Sequence, residues 1–198
     1  TQVAIANTTK LSRVREDQQS NVGVQQADGQ QYPKPTRREI WRHEAEVQSL
    51  QPQQRVPYRV QSIREDNTVL RSDRFSLAAA PVKGQPLKIL LTSDHQLMPM
   101  TAANLQKVVE TVGQVDAVFM AGDLVNVPDR ASEWFDDNRG GAFFPNLQGR
   151  AHYELERGNV RTRYQGGAII QSAPLFPAIG NHEVMGRFSM DTPLSEQF

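Results

Sequence analysis

Three short stretches end in side chains that can bind cations or carry protons: TSDHQ (Thr92–Gln96), AGDLVN (Ala121–Asn126) and IGNHE (Ile179–Glu183). Together they hold the carboxylates of Asp94, Asp123 and Glu183, the imidazoles of His95 and His182, and the amides of Gln96, Asn126 and Asn181. Carboxylate and amide oxygens are hard donors, and imidazole serves either as a ligand or as a proton carrier near neutral pH. One Asp after an apolar run is ordinary turn or cap chemistry. Three polar clusters at three successive apolar runs call for more. Capping does not explain the glycines before Asp123 and Asn181, whose backbone freedom allows close approach to a bound group.

The elements that must position these residues are legible around them. LKILLTSD and VDAVFMAGD read as buried strands, and PLFPAIG as a third. Between the first two, TAANLQKVVETVG spaces Leu105, Val108, Val109 and Val112 as one helical face, with Thr101 as N-cap and Gly113 as the stop. Strand, helix, strand implies a parallel sheet covered on both faces, and open α/β sheets bind ligands at the carboxyl ends of their strands. A long polar and aromatic insertion with two short helices separates the second strand from the third, and Met98 and Met100 read as packing residues. Upstream, Thr36 and Glu39 have the form of a capping box that opens a short helix. RVPYRVQSI and NTVLRSDRFSLAA follow as short strands, and PVKGQP reads as a linker. Three regions result: a Gln-rich polar arm (1–35), a helix with a small β-rich segment (36–85), and an α/β region (86–198). The arm has too little apolar surface to fold alone and is expected to lie against its own domain or a protein partner.

GDLVN and GNHE, in this order and each after an apolar strand, resemble the second and third blocks of the calcineurin-like metallophosphoesterase superfamily, which includes the purple acid phosphatases. The resemblance covers about residues 87–185. It implies an α/β fold in which a sheet sandwich is flanked by helices, here its N-terminal half. It also implies two divalent or mixed-valence metal ions (Mn, Fe, Zn or Mg) and a phosphomonoester or phosphodiester substrate. Two ions roughly 3.5–4 Å apart supply a hydroxide at neutral pH and clamp the developing charge. On this resemblance Asp94 holds the first ion, Asp123 bridges the pair, Asn181 donates its carbonyl oxygen to the second, and His182 is the catalytic residue that faces the phosphate. Glu183 then orients its neighbours or starts a helix.

The first block departs from the family pattern. The family has His two residues after the Asp, where this chain has Gln96, with His95 beside it. His95, Gln96 and Asn126 are further candidate donors or supports for donors. Purple acid phosphatases also lack that His but carry a tyrosine where Asn126 stands, so a coloured iron–tyrosinate centre is not expected. After His182 no histidine follows to Phe198, whereas the family has two further His blocks, so the chain is expected to be the N-terminal part of a longer enzyme. In the insertion, Arg161, Arg163 and Tyr164 either contact phosphate or form a solvated charged face. His43 and His152 lie in no motif.

Composition removes several other classes. Lys plus Arg equal Asp plus Glu at 22 each, which is no footprint for nucleic acid. There is no cysteine, hence no disulfide, thiolate site or cysteine nucleophile. No apolar run approaches the roughly 20 residues of a membrane helix. The chain opens on Thr1, so a removed leader and export remain open. A nucleotide-binding α/β protein would need a glycine-rich phosphate loop after its first strand, which is missing. The rival to an enzyme is a non-catalytic subunit that keeps the fold and binds a larger assembly.

Overall fold

The computed structural model describes residues 2–11, 15–16, 36–128 and 130–184. Strands β1 (Asn7–Leu11) and β2 (Arg15–Glu16) pair antiparallel with β4 (Ile40–Glu44) and β3 (Thr36–Arg37), respectively. The helix expected from Thr36 onward is therefore two strands. Ile40 and Trp41 suit a pleated surface, and β1 offers them a partner. In register with Trp41, Lys10 places its Nζ 5.2 Å from the indole centroid, a cation–π contact. Residues 7–11 of the polar arm thus lie against their own chain. Most of the remaining arm lies outside the described residues.

Two antiparallel pairings nest in the next segment. β5 (Arg55–Tyr58) pairs with β8 (Phe75–Ala78), and between them β6 (Gln61–Ile63) pairs with β7 (Val69–Arg71). Asp66 closes the inner turn by accepting the Thr68 N–H at 2.9 Å. This segment is tied to the insertion, since Tyr58 Oη donates to Gln171 O at 2.6 Å and Arg55 donates to Ser172 O. Arg38 adds an ion pair to Asp136 at 2.6 Å.

The α/β region follows the predicted order: β9 (Ile89–Thr92), α1 (Thr101–Val112), β10 (Ala117–Met120), then the insertion, then β13 (Leu175–Pro177). The three strands form one parallel sheet in the order β13-β10-β9. Helix α1 stops at Gly113, whose φ of 74° suits glycine. Its N-cap is Met100 rather than Thr101. The Thr101 hydroxyl is already committed, donating to His95 O at 3.2 Å. Met98 and Met100, expected to pack, are each 52% exposed. No described helix is long and apolar enough to cross a membrane.

The insertion contains the two expected short helices, α2 (Ala131–Phe135) and α3 (Phe143–Leu147), and a hairpin of β11 (Tyr153–Arg157) and β12 (Val160–Tyr164). Alternation along the sheet places Val118, with Leu90 and Leu175 beside it, on a core shared with Leu105, Phe143, Leu147 and Ile169. The opposite face differs from expectation. Leu91, Phe119 and Phe176 stand side by side across the three strands at 72%, 41% and 49% exposure, so one face of this parallel sheet is bare among the described residues. The three strand runs are apolar on both sides, but α1, α2 and α3 cover only one.

A candidate site at the strand ends

The carboxyl ends of the three strands are held level by backbone bonds. Ala121 N donates to Thr92 O at 2.9 Å, Ala178 N to Met120 O at 2.7 Å, and Asp94 N to Gly122 O at 3.3 Å. The loops after β10 and β13 then meet directly. A Cβ on Gly122, whose φ is +91°, would sit 2.6 Å from Gly180 Cα, and one on Gly180 would sit 2.5 Å from Asp123 N. Both glycines permit this loop-on-loop contact, which a side chain at either position would block.

One carboxylate clasps the two loops. Glu183 Oε2 accepts Gly180 N at 2.7 Å and Asp123 N at 2.9 Å, while Oε1 accepts Leu124 N at 2.8 Å. Asp123 returns the contact, its Oδ1 accepting His182 N at 2.9 Å. The His182 ring is fixed in turn, with Nδ1 2.9 Å from Asn126 O. A carbonyl oxygen can only accept, so Nδ1 carries the hydrogen and Nε2 is the ring atom left for chemistry. Asp94 and Asp123 adopt the left-handed backbone, with φ of 52° and 55°. Non-glycine residues adopt it seldom, and where they do the surrounding structure must hold them.

Asp123, Asn126, His182 and Glu183 thus belong to one hydrogen-bonded cluster, with Asn181 beside it in the chain between Gly180 and His182. Asp94 joins it through its backbone, with its side chain exposed, and Asn181 is exposed as well. Gln96 is half-buried. His95 goes elsewhere. It is 4% exposed, its ring centroid lies 6.0 Å from that of Phe143, and Nε2 is 3.1 Å from Thr92 Oγ1. Burial lowers its pKa from the usual 6.5 to about 4, against the opposing pull of Asp94, so the ring is neutral at pH 7. Arg161 is engaged on its own hairpin, 3.6 Å from Glu154 and 3.4 Å from Glu156. Arg163 and Tyr164 lie on the same strand, opposite Glu154 and Tyr153.

Sequence reasoning passed over Glu133, fully buried on α2. Its Oε2 accepts Asn126 N at 2.7 Å and Val127 N at 2.9 Å, and Arg130 Nη1 lies 3.3 Å from its Oε1. Burial raises its pKa from 4.5 to about 6, with the Val127 N–H, Arg130 and the Asn126 N–H pulling the other way. The available signal was an Arg and a Glu three residues apart in RASEWF, beside Trp134 and Phe135.

Among the described residues, no group of three His, Cys, Asp or Glu side chains is placed to hold a metal ion. Asp94, Asp123 and Asn181 supply oxygen donors, but the described donor set does not by itself fit a two-metal centre.

A parallel sheet whose Gly-Asp and Gly-Asn-His loops lock together at its carboxyl edge is consistent with part of a phosphoesterase-type α/β fold. Among solved structures, the chain is similar to purple acid phosphatase PPD1 isolated from yellow lupin (Lupinus luteus) seeds, with a TM-score of 0.54 and 18% sequence identity. The similarity covers 90% of this chain and 28% of the lupin chain, and at this identity it is a likeness of fold. No protein-family model matches the chain, and no curated protein matches it in sequence.

Proposed function

We propose that this chain supplies the N-terminal part of a metal-dependent phosphoester hydrolase site acting on phosphomonoesters or phosphodiesters. The observation that carries the reading is the clasped pair of strand-end loops, Gly122–Asp123 against Gly180–His182, within a fold similar to a purple acid phosphatase. Asp94, Asp123 and Asn181 are the oxygen donors this chain would contribute to a pair of metal ions. The missing donors would come from outside the described residues. His182 would hold or deliver a proton at Nε2 toward the leaving-group oxygen, because Nδ1–H is already given to Asn126 O.

Changing His182 to Ala in the intact protein is expected to lower kcat for an aryl phosphate by about 10²–10⁴-fold, the usual contribution of a positioned acid or base. Metal content should hold. Parallel loss of metal and rate would make His182 a ligand instead. The absence of a three-member donor group among the described residues favours one rival, a non-catalytic subunit that retains the fold. It is distinguished by the intact protein showing no hydrolysis under any metal loading.

A further inference from the structure

The hydrogen bond that orients His182 is made by a peptide group whose other end is held by Glu133. Asn126 C=O and Val127 N–H belong to one planar, trans peptide unit and point in opposite directions. Glu133 Oε2 accepts the Val127 N–H at 2.9 Å, and Asn126 O on the far side receives His182 Nδ1–H at 2.9 Å. The same oxygen takes Asn126 N at 2.7 Å, so two successive N–H groups converge on one buried carboxylate. Other parts of the segment from Arg130 to Trp134 grip the same loop: Trp134 Nε1 donates to Pro128 O at 2.8 Å, and Arg130 N to Val127 O at 3.0 Å. The loop is clamped from beneath.

We infer that Glu133 is a positioning residue for His182: by holding the Asn126–Val127 peptide it aims the Asn126 carbonyl at Nδ1 and leaves Nε2 as the reacting nitrogen. Two effects act together. The peptide plane cannot rotate while its N–H is held, so the carbonyl direction is set. An anionic acceptor on the N–H also polarises the peptide and strengthens its oxygen as an acceptor, as linked hydrogen bonds do. The relay depends only on this chain's geometry, whereas its consequence for turnover rests on the phosphoesterase reading above.

The test reads the imidazole directly. In two-bond proton–nitrogen correlation spectra of the intact protein at pH 8, His182 should show a hydrogen on Nδ1 bonded to Asn126 O. Glu133→Gln keeps an oxygen acceptor but removes the charge, so the Val127 amide proton and the His182 Nδ1 resonance should move together toward weaker hydrogen bonding. Glu133→Leu removes the acceptor and should let the Nε2–H tautomer appear. A Val127 shift in Glu133→Gln with His182 unmoved overturns the inference, and this variant decides the matter even if Glu133→Leu does not fold. In turnover of an aryl phosphate, Glu133→Gln should lower kcat about tenfold with KM unchanged. An intact protein without hydrolysis defeats the phosphoesterase reading, and the spectra still decide the relay.

Discussion

Glu183 holds three backbone N–H groups from two loops on a single carboxylate, and it does so across 59 to 60 residues of chain for two of them. Hydrogen bonds to a charged acceptor are worth roughly 1.5–3 kcal/mol each, about twice a neutral one. Glu183→Gln loses the charge and turns an NH₂ toward donors, so it should destabilise the protein by about 2–3 kcal/mol in urea unfolding. A change below about 0.5 kcal/mol would mean the clasp contributes little. The GNHE motif marked Glu183 as a residue that orients its neighbours or starts a helix, and their place at the ends of apolar runs marked both glycines. Their partners were not legible, because local sequence does not state which two loops will touch. Glu133 was harder still, since nothing in RASEWF points to a loop that begins seven residues earlier.

At the scale of elements, the three strands were readable as short continuous apolar runs, and the helix between them by its 3.6-residue period. The stretch after Thr36 reads as a helix and folds as two strands. A capping-box pattern competes there with Ile40 and Trp41, and a strand partner thirty residues upstream settles the contest. His95 reads from the sequence as either a ligand or a bystander. Left-handed backbone at Asp94, Gln96 and Leu97 breaks the simple alternation that would have placed it, and its ring enters the core against Phe143. The buried His95 and Glu133 make opposite contributions to pH-dependent stability. His95 binds its proton near pH 6.5 when unfolded and at about 4 when folded. The unfolded chain therefore holds more protons in that window, and stability from this group rises with pH by on the order of 3 kcal/mol. Glu133 binds at 4.5 unfolded and at about 6 folded, so stability from this group falls by roughly 2 kcal/mol as pH rises through that window. These two slopes nearly cancel in the parent between about pH 4.5 and 6. Glu133→Gln should expose the His95 slope, with stability climbing from pH 4 to 6.5, and His95→Phe should expose the opposite trend. Unfolding curves at several pH values check both, and variant profiles parallel to the parent would refute the assignment.

On the scale of the whole molecule, the parallel sheet has a core on one face and, among the described residues, a bare apolar row on the other. Leu91, Phe119 and Phe176 each forgo part of the roughly 1.5–3 kcal/mol that full burial of such a side chain brings. A row like this binds apolar dyes and favours association. The 198-residue chain should therefore bind anilinonaphthalene sulfonate, and Leu91→Ser with Phe176→Ser should lower that fluorescence severalfold with little loss of stability. Unchanged dye binding in the double variant would place the apolar surface elsewhere. Continuous apolar runs made these strands legible and implied cover on both faces, whereas the number of layers the described residues supply cannot be read from such runs.

Asp123, where the two loops meet, carries the phosphoesterase reading most directly. Hydrolysis of an aryl phosphate by the intact protein, with and without a chelator, should depend on metal and should fall in Asp123→Asn by more than the roughly 100-fold that even residues behind metal ligands can cost. Asp123→Asn turning over at the parent rate, in metal or in chelator, would contradict it.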